Sequence, residues 1–249
     1  MTINESITLD RIKHLTELHG APGFEDDIKT YMKDQMTPFV DEFIDNKMGG
    51  FFGVKKSAKP KAKRVMVAAH MDEIGFMITQ ITDNGMIQFT NLGGVANGIW
   101  QGQRLKVKSR NNEEITGIVS NIPKHFRSGN EGVPQISDLM LDIGATTANE
   151  VRKRGIEIGD TIVPDTPFTQ LSKYRFSAKA WDNRYGCLIA IEILELLKDI
   201  ELDVDLYVGA NVQEEVGLRG AKASAELIKP DVAFVVDLSL IHISEPTRL

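Results

Sequence analysis

The stretch RVMVAAHMD, residues 64–72, runs through five consecutive apolar side chains, Val65 to Ala69, before it reaches His70. A short continuous apolar run fits a strand buried on both faces, the usual state of a parallel sheet with helices on either side. The run stops at a potential ligand. Residues two apart in extended backbone face the same way, so Asp72 can receive one imidazole N–H of His70 while the other nitrogen binds a cation. A satisfied core histidine beside a turn or cap aspartate is the better explanation of the pair while it stands alone.

Upstream, LDRIKHLTELHG (9–20) places Leu9, Ile12, Leu15 and Leu18 on one helical face, with Gly20 as a C-terminal stop. FEDDIKTYMKDQM (24–36) predicts a second helix, and FVDEFID (39–45) and FFGVKK (51–56) predict strands. From Ile74 to about Val163 the pattern changes to short strands between glycines and polar turns: IGFMITQIT, MIQFTNL, RLKVKS, EITGIVS and DTIVP. This block predicts a small β-barrel or sandwich with one short helix, TTANEVRKRG, in which Thr147 and Glu150 have capping-box spacing. The α/β pattern resumes with the amphipathic NRYGCLIAIEILELLKD (183–199) and two buried-type strand runs, DLYVGANVQ (205–213) and VAFVVD (232–237). The expected organisation is an α/β domain, residues 1–72 and 166–237, interrupted by a β insert at 73–165, with 238–249 as a tail.

Composition narrows the partners. A chain of 249 residues that is 42% hydrophobic can bury a substantial core. A net charge of −6 offers no basic stripe for nucleic acid, and the apolar runs are too short to span a membrane. The polar start MTINESITLDRIKHL has no signal core, and the single Cys187 supports no disulfide framework, so a cytoplasmic location is expected.

The chemistry gathers where strands stop. Buried-type runs end at His70, at Glu214 and Glu215, and at Asp237. The crevice at the carboxyl ends of strands in an open α/β sheet is where ligands bind, so these endings can converge. One histidine with several carboxylates suits zinc, cobalt or manganese, and a shared carboxylate permits a two-metal centre. Adjacent carboxylates following a strand point to opposite sides, so one of Glu214 and Glu215 can bind metal while the other faces a water; QEEVG reads equally as a solvated loop. In AWDNRYG, Asp182 or Asn183 can cap the helix, or the Asp182 carboxylate can project into the crevice.

HGAPGFEDDIKTYM, AAHMDEIGFMI, SAKAWDNRYGCLIAIEIL, GANVQEEVGLRGA and PDVAFVVD together resemble the M42 metallo-aminopeptidases, and among them the glutamyl aminopeptidases, across essentially all of residues 1–237. The resemblance implies a zinc-peptidase-like α/β fold, a mixed sheet flanked by helices and split by a barrel-like insert. It implies two divalent ions, zinc or cobalt, with His70 and Asp237 on one, Asp182 bridging and Glu215 on the other. Glu214 becomes the general base and Asp72 orients His70. A peptide substrate, a preference for Glu or Asp at its N-terminus and a large hollow homo-oligomer are further implications. A two-metal carboxypeptidase or deacylase and a non-catalytic assembly scaffold are the alternatives. The insert, with its loop KHFRSGNEGVPQISD (124–138), is expected to make subunit contacts.

The end of the chain departs from this pattern. LSLIHISEPTR (238–248) resembles the translation of a transposase-type sequencing adapter, so the gene is expected to be truncated, with residues 238–249 non-native. His242 is then no substitute for the further histidine ligand that the family implies downstream, and the chain itself is expected to be inactive or poorly folded.

Overall fold

A computed structural model describes residues 4–120 and 133–238 of the chain. They form two compact units, one comprising residues 4–18, 25–72 and 180–238 and the other residues 19–24, 73–120 and 133–179.

In the first unit a five-stranded mixed sheet has the order β1-β2-β12-β3-β13, with β1 Glu42–Asp45, β2 Phe51–Lys55, β3 Lys63–His70, β12 Val204–Asn211 and β13 Val232–Val235. Strands β1, β2 and β12 pair antiparallel, whereas β12 and β13 run parallel to β3 on either side of it. The apolar run of β3 is buried from Met66 to His70, as a central strand requires. Helices lie on both faces. Gly186 of α4 (Trp181–Leu196) abuts Ala69, whereas Ile228 of α5 (Arg219–Ile228) joins a cluster with Phe52, Met66 and Ala68. Alternation along β3 puts Ala68 and Ala69 on opposite faces.

Helix α1 spans Glu5–Glu17, opened by the Asn4 side chain, which accepts the N–H groups of Ser6 and Ile7. Ile12 and Leu15 are buried as predicted, but Leu9 is exposed and the helix stops before Gly20 because Leu18 is extended. Arg11 ties α1 to α2 (Asp26–Met36) through Gln35 at 3.1 Å and to α4 through Glu195 at 2.5 Å.

The second unit is built on a closed six-stranded barrel, β4-β5-β8-β7-β6-β9, which leaves no sheet edge to protect. Its strands are β4 Gly75–Ile81, β5 Ile87–Leu92, β6 Arg104–Lys108, β7 Glu114–Ser120, β8 Met140–Asp142 and β9 Thr161–Pro164. Phe76 sits at the centre of the barrel's apolar core, edge-on to Phe89 and to Trp100 with 4.9 Å between ring centroids in each case. Thr147 caps α3 (Ala148–Lys153) by accepting the Glu150 N–H at 3.2 Å, while the Glu150 carboxylate reaches Thr146 N at 2.7 Å, one residue earlier than a capping box requires. A ribbon of β10 (Thr169–Ser172) and β11 (Arg175–Ser177) belongs to this unit. So does the buried ion pair Lys179 Nζ–Glu73 Oε1, at 2.6 Å.

Candidate metal centre

Parallel pairing fixes where the functional groups go. Asn211 of β12 lies opposite His70 of β3, and Val235 of β13 lies opposite Ala68. Three strands therefore end on the same side of the α/β unit, delivering His70, the turn with Glu214 and Glu215, and Asp237 to one region. The fourth contribution comes from the start of α4. Ala180 is left-handed at φ 54°, Asp182 and Asn183 are non-helical, and the peptide between them is cis. Asn183 Oδ1 accepts the Gly186 N–H at 3.0 Å, so Asn183 is the residue that caps the helix. That leaves the Asp182 carboxylate to project into the crevice.

His70, Asp182 and Asp237 each offer one ligand atom, and the three atoms lie within 4.8 Å of one another. His70 Nε2 is 3.2 Å from Asp182 Oδ1, 3.8 Å from Asp237 Oδ1 and 3.8 Å from Glu214 Oε2. On its other side Nδ1 meets the Asp72 backbone carbonyl at 3.1 Å and the Asp72 carboxylate at 3.3 Å. The ring is thus fixed from one side and presents Nε2 to the carboxylates.

The electrostatics follow from crowding. Burial opposes a charge on His70, but hydrogen bonds to Asp182 and Asp72 and the field of the surrounding carboxylates prevail, lifting its pKa to about 10. Its hydrogen bond to Asp182 holds that carboxyl low. Burial raises Asp237 and Glu214, His70 opposing in each case, and burial with the Asp182, Asp72 and Glu214 charges brings Glu215 up to about 7. Among the described residues, Asp182, Glu214 and Asp237 make their ion pairs with this one imidazole. An imidazole and oxygen donors short of positive charge are a donor set that fits a divalent cation.

The pair Glu214 and Glu215 sits differently from the strand alternation expected for it. Strand β12 ends at Asn211 and Gln213 is left-handed at φ 54°, so both glutamates occupy a turn. Their backbone N–H groups both donate to Asp72, at 3.0 Å to Oδ1 and 3.0 Å to Oδ2, and Glu25 Oε1 accepts the Gln213 N–H at 3.1 Å. Asp72 thereby serves the turn as well as the imidazole. Sequence reasoning missed Glu25 and Arg184, because neither lies in a strand-ending pattern; a wholly apolar helix face interrupted by Arg184 was the available signal. His242 lies outside the described residues, as do residues 124–132 of the loop expected at subunit contacts. Among the described residues no helix is long and apolar enough to cross a membrane.

The sequence model of a family described as M42 glutamyl aminopeptidase matches residues 49–247. Glutamyl aminopeptidase of Lactococcus lactis subsp. cremoris is 42% identical over 234 residues, which are 92% of this chain and 66% of that protein. The solved structure of an aminopeptidase from the archaeon Desulfurococcus kamchatkensis superposes with a TM-score of 0.88 at 38% identity, covering 94% of this chain and 63% of the other. A TET1 peptidase of Pyrococcus horikoshii, described as assembling into a tetrahedron or a large octahedral shell, gives a TM-score of 0.83 at 29% identity, covering 92% and 68%. The chain therefore spans about two thirds of the length of the relatives it matches.

Proposed function

The chain belongs to the M42 glutamyl aminopeptidase family, and from that premise we propose that its α/β unit carries the site of a two-metal aminopeptidase that removes the N-terminal residue of peptides. The observation that carries this reading is the convergence of His70, Asp182 and Asp237 within 4.8 Å, with Glu214 3.8 Å from the same imidazole nitrogen. We assign His70 and Asp237 to one ion, Asp182 as the shared carboxylate and Glu215 to the second ion, and take zinc or cobalt as the metals. When bound, such ions supply Lewis acidity, polarising the scissile carbonyl and bringing the pKa of an attacking water from about 15.7 toward about 7.

The chain's own groups do the rest. Glu214, its pKa raised by partial burial, accepts the proton of the attacking water at a carboxylate oxygen and returns it to the leaving amine. Asp72 keeps His70 oriented and holds the Glu214 backbone in place. With the carboxylates taken up as metal ligands, an unprotonated substrate amino terminus would serve as a further ligand, which fits an exopeptidase. The 42% identity to a glutamyl aminopeptidase supports a preference for acidic first residues. We assign the barrel unit to assembly of a homo-oligomer, on the strength of the shells described for the Pyrococcus horikoshii relative.

The 249-residue chain itself is expected to be inactive, so the test is turnover by a version completed to the full length of its relatives and loaded with zinc or cobalt. Release of p-nitroaniline from glutamyl p-nitroanilide, faster than from the lysyl or leucyl compound and absent with an N-acetylated substrate, is expected. Faster cleavage of the N-acyl bond of N-acetylglutamate would move the protein to the deacylases. Ion binding without hydrolysis of any of these withdraws the catalytic reading for this chain, and no stoichiometric ion leaves the scaffold alternative standing.

A further inference from the structure

Directly after Asp182 come two fully buried polar side chains, Asn183 and Arg184, each 0% exposed. Asn183 Nδ2 donates to the Val236 carbonyl at 2.7 Å, the peptide immediately before Asp237. Its Oδ1 is held by the Gly186 N–H, so the amide cannot turn away without uncapping α4. Arg184 reaches the other strand end. Its Nε donates to the Met71 carbonyl at 2.9 Å, between His70 and Asp72 in the chain, while Nη1 donates to the Leu15 and Leu18 carbonyls at 2.5 and 3.1 Å. Those last two carbonyls lie at the C-terminal end of α1, where helix carbonyls lack internal partners and a cation is favoured.

We propose that Asn183 and Arg184 are positioning residues for metal binding: they hold the ends of β3 and β13 against Asp182, so that His70, Asp182 and Asp237 converge, although neither residue offers a ligand atom. The proposal rests on reading those three residues as an ion-binding set. A guanidinium wholly withdrawn from water is costly unless its donors are satisfied. If Arg184 served only to join α4 to α1, the two α1 carbonyls would suffice. The bond to Met71 instead grips the peptide that joins His70 to Asp72, and through Asp72 the turn bearing Glu214 and Glu215. Three consecutive residues, 182–184, thus address both strand ends that supply the other donors.

The experiment measures cobalt and zinc affinity of the 249-residue chain by competition with a chromogenic chelator, alongside circular dichroism and thermal unfolding in chelator. The variants are Asn183→Ala, Arg184→Met, Arg184→Lys and, as control, His70→Ala. Loss of groups that orient metal ligands commonly weakens binding 10- to 100-fold, so a loss of about that size is expected for Asn183→Ala and Arg184→Met, with Arg184→Lys between them and the wild type. A merely structural role would lower the unfolding temperature and leave the affinity of the folded protein unchanged, which overturns the proposal. Should Arg184→Met fail to fold, Asn183→Ala and Arg184→Lys decide by the same criterion. Affinity unchanged in His70→Ala takes the ion away from this triad and withdraws both readings. Affinity lost there but retained in folded Asn183→Ala and Arg184→Lys withdraws the positioning proposal alone.

Discussion

The Asp72 carboxylate, wholly buried, accepts the N–H groups of Glu214 and Glu215 and lies 3.3 Å from His70 Nδ1. Asp72→Ala leaves two backbone donors without their acceptor, at about 1–3 kcal/mol each where they are shielded from water, and frees the ring. We expect it to lower the unfolding temperature and to reduce turnover together; unchanged kinetics in Asp72→Ala would remove it from the orienting role. Glu214→Gln is expected to behave differently. The amide keeps the shape and cannot take a proton, so in the enzyme completed to the length of its relatives metal content stays at the wild-type level while kcat falls by about 10²- to 10⁴-fold. Elemental analysis beside kinetics checks this. The spacing of His70 and Asp72 was legible because extended backbone has period two. The bonds from Asp72 to the glutamate turn were not, since they join residues 142 and 143 positions apart.

At the level of elements, the contact of β12 with β2 sets a strict size limit. A Cβ on Gly209 would lie 2.0 Å from the Phe51 carbonyl oxygen and 2.7 Å from Phe52 Cα, so only glycine fits opposite Phe52 in that register. Gly209→Ala must push the strands apart, and overpacking alone costs about 1–3 kcal/mol in a core. A lower thermal midpoint, with disturbance of the Glu214 turn at the end of β12, is the expected result, and an unchanged midpoint would contradict this packing. Strand β13 presents the opposite situation. It pairs with β3, and Val232, Phe234 and Val235 are 45%, 57% and 74% exposed. An exposed apolar edge strand is a template for pairing with another chain. Light scattering at increasing concentration is expected to show self-association that Phe234→Lys reduces. The strands themselves were readable as apolar runs bounded by polar residues, but the burial of β3 and exposure of β13 depend on sheet order, which apolar content does not encode.

For the molecule as a whole, every proposed donor belongs to the α/β unit and none to the barrel unit. A ligand that binds only the folded state stabilises it by about 2.7 kcal/mol at 100 times its Kd. Calorimetry of the zinc- or cobalt-loaded chain is therefore expected to show the α/β transition several degrees higher than in chelator, with the barrel transition unmoved; equal shifts in both would contradict that partition. By itself the sequence determined the run ending at His70, the alternation marking a separate β block, and the polar residues at strand ends, because these patterns repeat over a few residues and follow from backbone period. Tertiary structure alone decided that Asn183 caps α4 and so leaves the Asp182 carboxylate free, and that Arg184 grips a carbonyl 113 residues away. The cap itself is local, but the Asn183 amide is fixed by the Val236 carbonyl 53 residues away, so both arrangements depend on which strand ends lie side by side. Parallel pairing of β12 and β13 on the two edges of β3 settles that through long-range closure, and no local window of sequence contains it.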